Sequence, residues 1–254
     1  MKLTVLGASA GIGGLLRTTA LLLDQHTLVD CGSGVGDLSL AQMARIERVL
    51  LTHSHLDHCG FLPLLADATL DLRSGPLSVY ALPETLAILR RNLFNGELWP
   101  DYTAMPDPDT PYIRCLPIRL GEPLAIAGAM VTALPAAHSV PAVGYAIDSG
   151  QGSFVFSGDT GYSVAFWEAL GAIENLRYLM IENTFAERQR EAAQRFGHMT
   201  AGLLAQGLAS LAGTAEILIT HLEPGKQRAV LDEVAALAGR WHPRPVRAWE
   251  AFRF

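Results

Sequence analysis

The feature that most constrains this sequence is a cluster of metal-binding side chains directly after a short apolar strand. The strand is predicted at Arg48–Leu51, and the cluster reads Thr-His-Ser-His-Leu-Asp-His over residues 52–58. Side chains alternate along extended backbone, so His53 and His55 point the same way, and a tight turn brings Asp57 and His58 beside them. Imidazole and carboxylate groups at this density predict a metal site rather than an exposed polar turn.

Three further polar residues follow apolar, strand-like runs later in the chain. They are His138, Asp159 and His221, after predicted strands at 131–134, 153–156 and 216–219. Each alone is weak evidence, but strand ends collect site residues, so the repeated placement predicts one shared site.

Short apolar runs alternate with longer helical patterns throughout, which predicts an α/β fold. The predicted strands are Leu3–Leu6, Ala20–Leu23, His26–Val29, Arg48–Leu51, Leu77–Tyr80, Val131–Leu134, Gly144–Ile147, Ser153–Phe156, Arg177–Ile181 and Glu216–Ile219. The predicted helices are Asp37–Ala44, Pro83–Leu93, Val164–Leu170, Ala201–Leu211 and Pro224–Leu237. No repeat or Ser/Gly-rich linker divides the chain, so we expect residues 1–254 to form one domain, with a long loop at 95–111.

The composition narrows the class of protein. Half of the 254 residues are hydrophobic, which excludes intrinsic disorder, and the formal charge of −6 argues against a large nucleic acid as partner. No apolar run is long enough to cross a bilayer, and the first residues lack the features of a secretory signal. Three widely spaced cysteines favour a reducing compartment, so we expect a cytoplasmic protein. The apolar composition is also compatible with a homodimer.

A glycine-rich segment follows the first predicted strand. Residues 7–13 read Gly-Ala-Ser-Ala-Gly-Ile-Gly and resemble the cofactor loop of short-chain dehydrogenases. That family also needs a Tyr-x-x-x-Lys pair, and neither Lys2 nor Lys226 has a tyrosine four residues before it. A phosphate-binding turn must open a helix, whereas residues 15–23 fit a strand at least as well as a helix, so we interpret the segment as a structural turn.

The ordered histidines and aspartates resemble the HxHxDH…H…D…H pattern of the metallo-β-lactamase superfamily. The resemblance implies an αββα sandwich with a dinuclear metal site at the sheet edge. It assigns His53, His55 and His138 to one ion, Asp57, His58 and His221 to the other, and Asp159 as the bridge. These ligand types suit zinc, with manganese or iron left open. Two such ions would serve a metal-dependent hydrolase.

Two later stretches resemble the phosphodiesterase branch of that superfamily, which includes the tRNA 3′-end-processing endonucleases. They read Ile-Glu-Asn-Thr-Phe over residues 181–185 and Phe-Gly-His-Met-Thr over 196–200. The resemblance implies that His198 protonates the leaving oxygen and that Glu182 orients it. The endonuclease motif usually carries a histidine where this chain has Ile181, and no basic arm for RNA is evident.

Residues 92–103, Asn-Leu-Phe-Asn-Gly-Glu-Leu-Trp-Pro-Asp-Tyr-Thr, resemble class-II 3′,5′-cyclic-nucleotide phosphodiesterases, as does His-Ser-Val-Pro at 138–141. That resemblance implies hydrolysis of cyclic AMP or cyclic GMP to the 5′-nucleotide by a metal-bridging hydroxide, which Asp57 would steer. Phe94, Trp99 and Tyr102 would supply an aromatic surface for the base, or Phe94 and Trp99 would instead anchor the long loop to the core. The alternatives are an endoribonuclease, another phosphodiester hydrolase, or a sensor with an idle metal site.

Overall fold

The computed structural model describes residues 1–254, apart from the surroundings of residue 239. The strands, in chain order, are β1 (Lys2–Gly7), β2 (Ala20–Leu23), β3 (Thr27–Val29), β4 (Arg48–Leu50), β5 (Leu77–Ala81), β6 (Ile113–Pro117), β7 (Pro123–Ile126), β8 (Ala129–Pro135), β9 (Val143–Asp148), β10 (Ser153–Phe156), β11 (Leu176–Glu182), β12 (Glu216–Thr220), β13 (Arg244–Pro245) and β14 (Ala251–Arg253). They form two seven-stranded sheets, with strand orders β14-β1-β2-β3-β4-β5-β6 and β13-β12-β11-β10-β9-β8-β7.

In the part of the chain that the structure describes, eight α-helices connect or cover the strands. They are α1 (Leu40–Met43), α2 (Leu56–Cys59), α3 (Leu62–Ala68), α4 (Pro83–Asn92), α5 (Val164–Gly171), α6 (Arg190–Phe196), α7 (Ala201–Leu208) and α8 (Gln227–Leu237). Within the described residues, none of these helices combines the length and the apolar character that a membrane crossing requires.

The apolar side chains form three buried layers. One layer lies between the two sheets, and each of the others joins the outer face of one sheet to its helices. In β11, Met180 belongs to the inner layer, whereas Leu179 and Ile181 belong to an outer layer. A strand buried on both faces needs apolar residues at successive positions, which explains the continuous apolar runs of the sequence. The predicted αββα sandwich is confirmed.

The ten predicted strands are present, each within two residues of its predicted ends. The helix predicted from Asp37 begins only at Leu40, because Ser39 and Gln42 form a reciprocal capping box there. Sequence analysis missed four strands and three helices. These are β6, β7, β13, β14, α2, α3 and α6. Most of them are short, or lie beside prolines and turns, where periodicity is a weak signal.

The glycine segment forms a structural turn, as predicted. The chain passes from β1 to strand β2 without an intervening helix, so no phosphate-binding helix terminus is built here. A Cβ atom on Gly7 would lie 2.1 Å from the carbonyl oxygen of Thr18, so only glycine allows the two backbone segments to approach this closely.

Candidate active site

All seven predicted metal ligands meet at one edge of the sandwich. The first four follow β4, and the other three follow β8, β10 and β12. Their ligand atoms form two groups, and within each group these atoms lie within 4.8 Å of one another. The first group contains His53, His55, His138 and Asp159, and the second contains Asp57, His58, Asp159 and His221. Asp159 belongs to both groups, which is the arrangement that the resemblance implied.

The second group fits a tetrahedral ion closely. Nε2 of His221 lies 3.3 Å from Nε2 of His58 and 3.2 Å from Oδ2 of Asp57. Oδ2 of Asp57 lies 3.5 Å from Nε2 of His58, and Oδ1 of Asp159 lies 3.2 Å from it. Ligands held about 2.0–2.1 Å from a tetrahedral ion are separated from one another by about 3.3 Å. The spacing in the second group is therefore that of a tetrahedral coordination shell.

The first group contains a buried metal-binding atom that has no hydrogen-bond partner among the described residues. This atom is Nε2 of His53. Nε2 of His138 faces Nδ1 of His55 at 3.1 Å, and Oδ2 of Asp159 lies 3.8 Å from His53 and 3.9 Å from His138. A buried nitrogen without a partner is costly, and a cation between these atoms would remove that cost. The residues present therefore fit a pair of divalent ions.

Asp30 holds the second group in place, although sequence analysis did not single it out. It is fully buried and accepts a 2.7 Å hydrogen bond from Nδ1 of His58, so Nε2 of that ring is the nitrogen that can bind a metal. Asp30 also accepts hydrogen bonds from the backbone N–H and the hydroxyl of Thr52. The same hydroxyl accepts from Nδ1 of His53 at 2.9 Å, so one carboxylate orients ligands of both groups.

Two further candidate histidine ligands, His138 and His221, are also oriented through Nδ1. Nδ1 of His138 donates to the carbonyl oxygen of Gly197 at 2.8 Å. Nδ1 of His221 donates to the hydroxyl of Thr184 at 2.9 Å, and that hydroxyl donates to Glu182. The backbone of His221 has a φ of +57° and donates to the carbonyl of Ala8 at 2.8 Å. The glycine-rich segment therefore supports a ligand through its backbone.

The electrostatics of the cluster favour bound cations. Burial lowers the pKa of His53, His55 and His138, which keeps these imidazoles neutral, as ligands must be. Burial also lowers the pKa of His58, but the carboxylates of Asp159 and Asp30 outweigh it and raise that pKa well above its ordinary value. Burial raises the pKa of Asp159, yet His221 and His58 outweigh it and hold that pKa well below its usual range. The Asp159 carboxylate, which both groups share, therefore stays charged and attracts positive charge.

His198 and Glu182 form a pair beside the cluster. Nδ1 of His198 donates to Oε1 of Glu182 at 2.7 Å, and its ring stacks on that of His221 with centroids 5.6 Å apart. Glu182 is fully buried and also accepts from the backbone N–H groups of Thr160, Thr184 and Met199. Burial lowers the pKa of His198, but the Glu182 carboxylate outweighs it and raises the pKa to about 9. The Glu182 carboxylate thus favours the charged form of the His198 imidazole and fixes the orientation of its ring.

The three aromatic residues predicted as a base-binding surface lie elsewhere. Phe94 and Tyr102 are only 2% and 5% exposed, and their rings stack on each other within the outer layer of the first sheet. The Tyr102 hydroxyl donates to Asp67, and Trp99 is half-buried against the same layer. Of the two interpretations of these residues, the structure supports anchoring of the loop. The prediction that Phe94 and Tyr102 stack on a base is wrong, because both rings are buried and neither has a face open to a ligand.

Comparison with known proteins agrees with this geometry. Residues 26–222 match the model of the β-lactamase superfamily domain. The chain belongs to the β-lactamase superfamily. A sequence relative in this superfamily is named ribonuclease Z, from Bradyrhizobium; it is 29% identical over 272 residues, which covers 87% of this chain and 89% of the relative.

Two solved structures share the fold over nearly the whole chain. The metallo-β-lactamase fold protein YhfI of Bacillus subtilis has a TM-score of 0.78 and 21% identity, covering 99% of this chain and 98% of its own. Yeast PDE1 has a TM-score of 0.80 and 16% identity, covering 98% of each chain. This β-lactamase superfamily protein is therefore a hydrolase with the metallo-β-lactamase fold and a cluster of histidines and aspartates compatible with divalent metals.

Proposed function

We propose that this protein is a metal-dependent phosphodiesterase that hydrolyses ribonucleotide phosphodiesters. The observation that carries the proposal is the His198–Glu182 pair, held by a 2.7 Å hydrogen bond against the ring of His221. Hydrolysis of a phosphodiester expels an alkoxide, which needs a proton, and this pair supplies a proton donor next to a site for cations.

The residues of the two metal groups would hold two divalent ions, with Asp159 shared between them. When bound, such ions neutralise the charge of the phosphate and activate water for attack. The chain contributes the rest. His198 donates its Nε2 proton to the leaving oxygen, and Glu182 fixes the ring and stabilises the positive charge of the imidazolium. Zinc is the ion that this set of nitrogen and carboxylate donors fits best.

RNA is the substrate that the sequence relatives favour. The relative named ribonuclease Z matches over most of both chains. The alignment with this relative spans 272 positions but covers only 87% of the 254 residues of this chain. The relative therefore carries segments that have no counterpart here. The formal charge of −6 limits how much RNA surface the chain can hold, so we expect recognition of a short region around the scissile bond.

3′,5′-Cyclic nucleotides are the second candidate substrate. The observation in their favour is the similarity of residues 92–103 and 138–141 to class-II cyclic-nucleotide phosphodiesterases. A cyclic nucleotide carries a single negative charge, so it needs few basic contacts beyond the cations. Because Phe94 and Tyr102 are buried, the base would have to bind to other residues.

Product analysis separates the two candidates. Protein loaded with zinc or manganese is mixed either with a tRNA precursor that carries a 3′ trailer or with 3′,5′-cyclic AMP, beside a chelator-treated control. Metal-dependent cleavage of the RNA supports the first candidate, and formation of 5′-AMP supports the second. A protein that carries two metals and hydrolyses neither would refute the proposal.

A variant test addresses the metal assignment independently of turnover. Asp57→Ala should lose the metal of the second group, because Oδ2 of Asp57 lies 3.2 Å from Nε2 of His221 and completes that shell. Elemental analysis that still finds two metals per chain would remove Asp57 from the ligand set. Asp109→Ala, at an exposed loop position, is the matched control and should retain both metals.

A further inference from the structure

A cleft lined by arginines lies at the edge of the first sheet that faces away from the candidate metal centre. Its lining includes Arg45, Arg48, Arg73 and Arg114, and its volume is about 530 Å³. Arg48 begins β4, whereas His53 follows the other end of that strand. His53 lies three residues beyond the last residue of β4, so the cleft and the metal ligands are at opposite ends of this strand.

The charge of this cleft is unusual for an acidic chain. Glu47 is the only carboxylate in its lining, and it lies 2.9 Å from Arg48. The other three arginines form no ion pair with any described residue of the chain. Arg73 is held rigidly, because it donates to the carbonyls of Met43 and Ile46 and to the Thr69 hydroxyl. The cleft therefore presents uncompensated positive charge, part of it on a preorganised guanidinium.

A second cavity adjoins the first and is mainly apolar. It has a volume of about 290 Å³ and shares the segment 73–76 and Arg114 with the arginine cleft. Its remaining walls include Leu70, Leu77, Pro106 and Tyr112. Together the two cavities offer an apolar compartment beside a cationic one, in the size range of small-molecule sites.

We propose that these two cavities form a binding site for a small organic phosphate with a planar apolar group, such as a nucleoside monophosphate. The arginine forks match the oxygens of a phosphate in charge and geometry. The apolar compartment beside them matches a nucleobase, and Tyr112 is among its lining residues. The proposal does not depend on the reaction at the metal centre, because it uses none of the residues there.

Calorimetric titration of the metal-loaded protein with AMP tests this site. The double variant R45Q/R114Q removes two charges from the cleft, where Arg114 is exposed and the Arg45 guanidinium donates a 3.0 Å hydrogen bond to Gln25. Each lost charge-assisted contact should weaken binding about 10-fold or more. R228Q, at a side chain that is 97% exposed on α8, is the matched control and should bind AMP like the wild type.

Three further measurements complete the test. Adenosine and inorganic phosphate should each bind about 10-fold or more weakly than AMP at the cleft, because each fills only one compartment. Phosphodiesterase turnover of R45Q/R114Q should equal that of the wild type, which separates this site from the metal centre. Binding of AMP that is equal in the wild type and R45Q/R114Q would overturn the proposal, as would phosphate binding as tight as that of AMP.

Discussion

Asp30→Asn is the most informative single substitution, because it changes one buried charge and almost no volume. Oδ1 of Asp30 accepts from the backbone N–H of Thr52 at 2.8 Å, and Oδ2 accepts from Nδ1 of His58 at 2.7 Å. An asparagine has only one acceptor oxygen, so its NH2 group must face one of these two donors. If it faces His58, that ring must carry its proton on Nε2, which then cannot bind a metal.

The expected result is a specific loss of metal from the group of Asp57, His58 and His221. Loss of an orienting partner typically weakens metal binding by about 10–100-fold, which corresponds to about 1.4–2.7 kcal/mol. Competition with a chelator, read by elemental analysis, measures the affinity of each ion. His58→Ala removes the candidate ligand itself, so it gives the metal affinity of a second group that lacks this histidine.

Asp232→Asn is the matched control, because that carboxylate is 75% exposed and lies 4.0 Å from Arg228. It should bind both metals with the affinity of the wild type. Circular dichroism and thermal unfolding establish that Asp30→Asn is folded. If the folded variant binds both ions as tightly as the wild type, the inference that Asp30 sets the His58 tautomer is wrong.

Three further predictions follow from the site and its surroundings. His198→Ala should keep both metals and slow turnover by about 10²–10⁴-fold, as measured by steady-state kinetics beside metal analysis; unchanged turnover would exclude it as the acid. Gly197→Ala should lower metal content, because its Cβ would lie 2.5 Å from the Cα of His138. Gly150→Ala is the control and should leave metal content unchanged, because Gly150 has a similar positive φ but open space around it. Phe94→Ala should reduce the free energy of unfolding by about 3–5 kcal/mol in a denaturant titration, since the ring is buried; unchanged stability with a raised KM would instead place this ring at the substrate.

The candidate metal ligands could be proposed from the sequence because they follow short apolar runs. Such a run forms a strand, and its end carries the next polar residue to the sheet edge. This logic places the cluster at 53–58, together with His138, Asp159 and His221, without any knowledge of how the strands are ordered. Asp30 follows Leu28 and Val29 in the same way, so its signal was present but passed unnoticed. Thr184 carried no comparable signal, because threonine is common near strand ends.

The aromatic residues near 94–102 show where sequence reasoning fails. Phe94 and Tyr102 adjoin or lie within a loop rich in proline and aspartate, which suggests exposure, yet both rings pack under the first sheet. A sequence pattern cannot decide whether a loop aromatic turns inward, because burial depends on the cavity that distant segments leave open. The arginine cleft is of the same kind, since its walls come from segments between residues 26 and 114.

By itself, the sequence determined the alternation of strands and helices, and its resemblance to the metallo-β-lactamase superfamily implied the sandwich class and the candidate metal ligands. The alternation and the gathering of polar residues at strand ends follow from local rules, because apolar runs form strands and polar groups at their ends cannot be buried without a partner. Only the tertiary structure decided which carboxylate orients His58, which way the loop aromatics face, and where unpaired arginines gather. Those features depend on distances between segments far apart in the chain, which no local pattern contains.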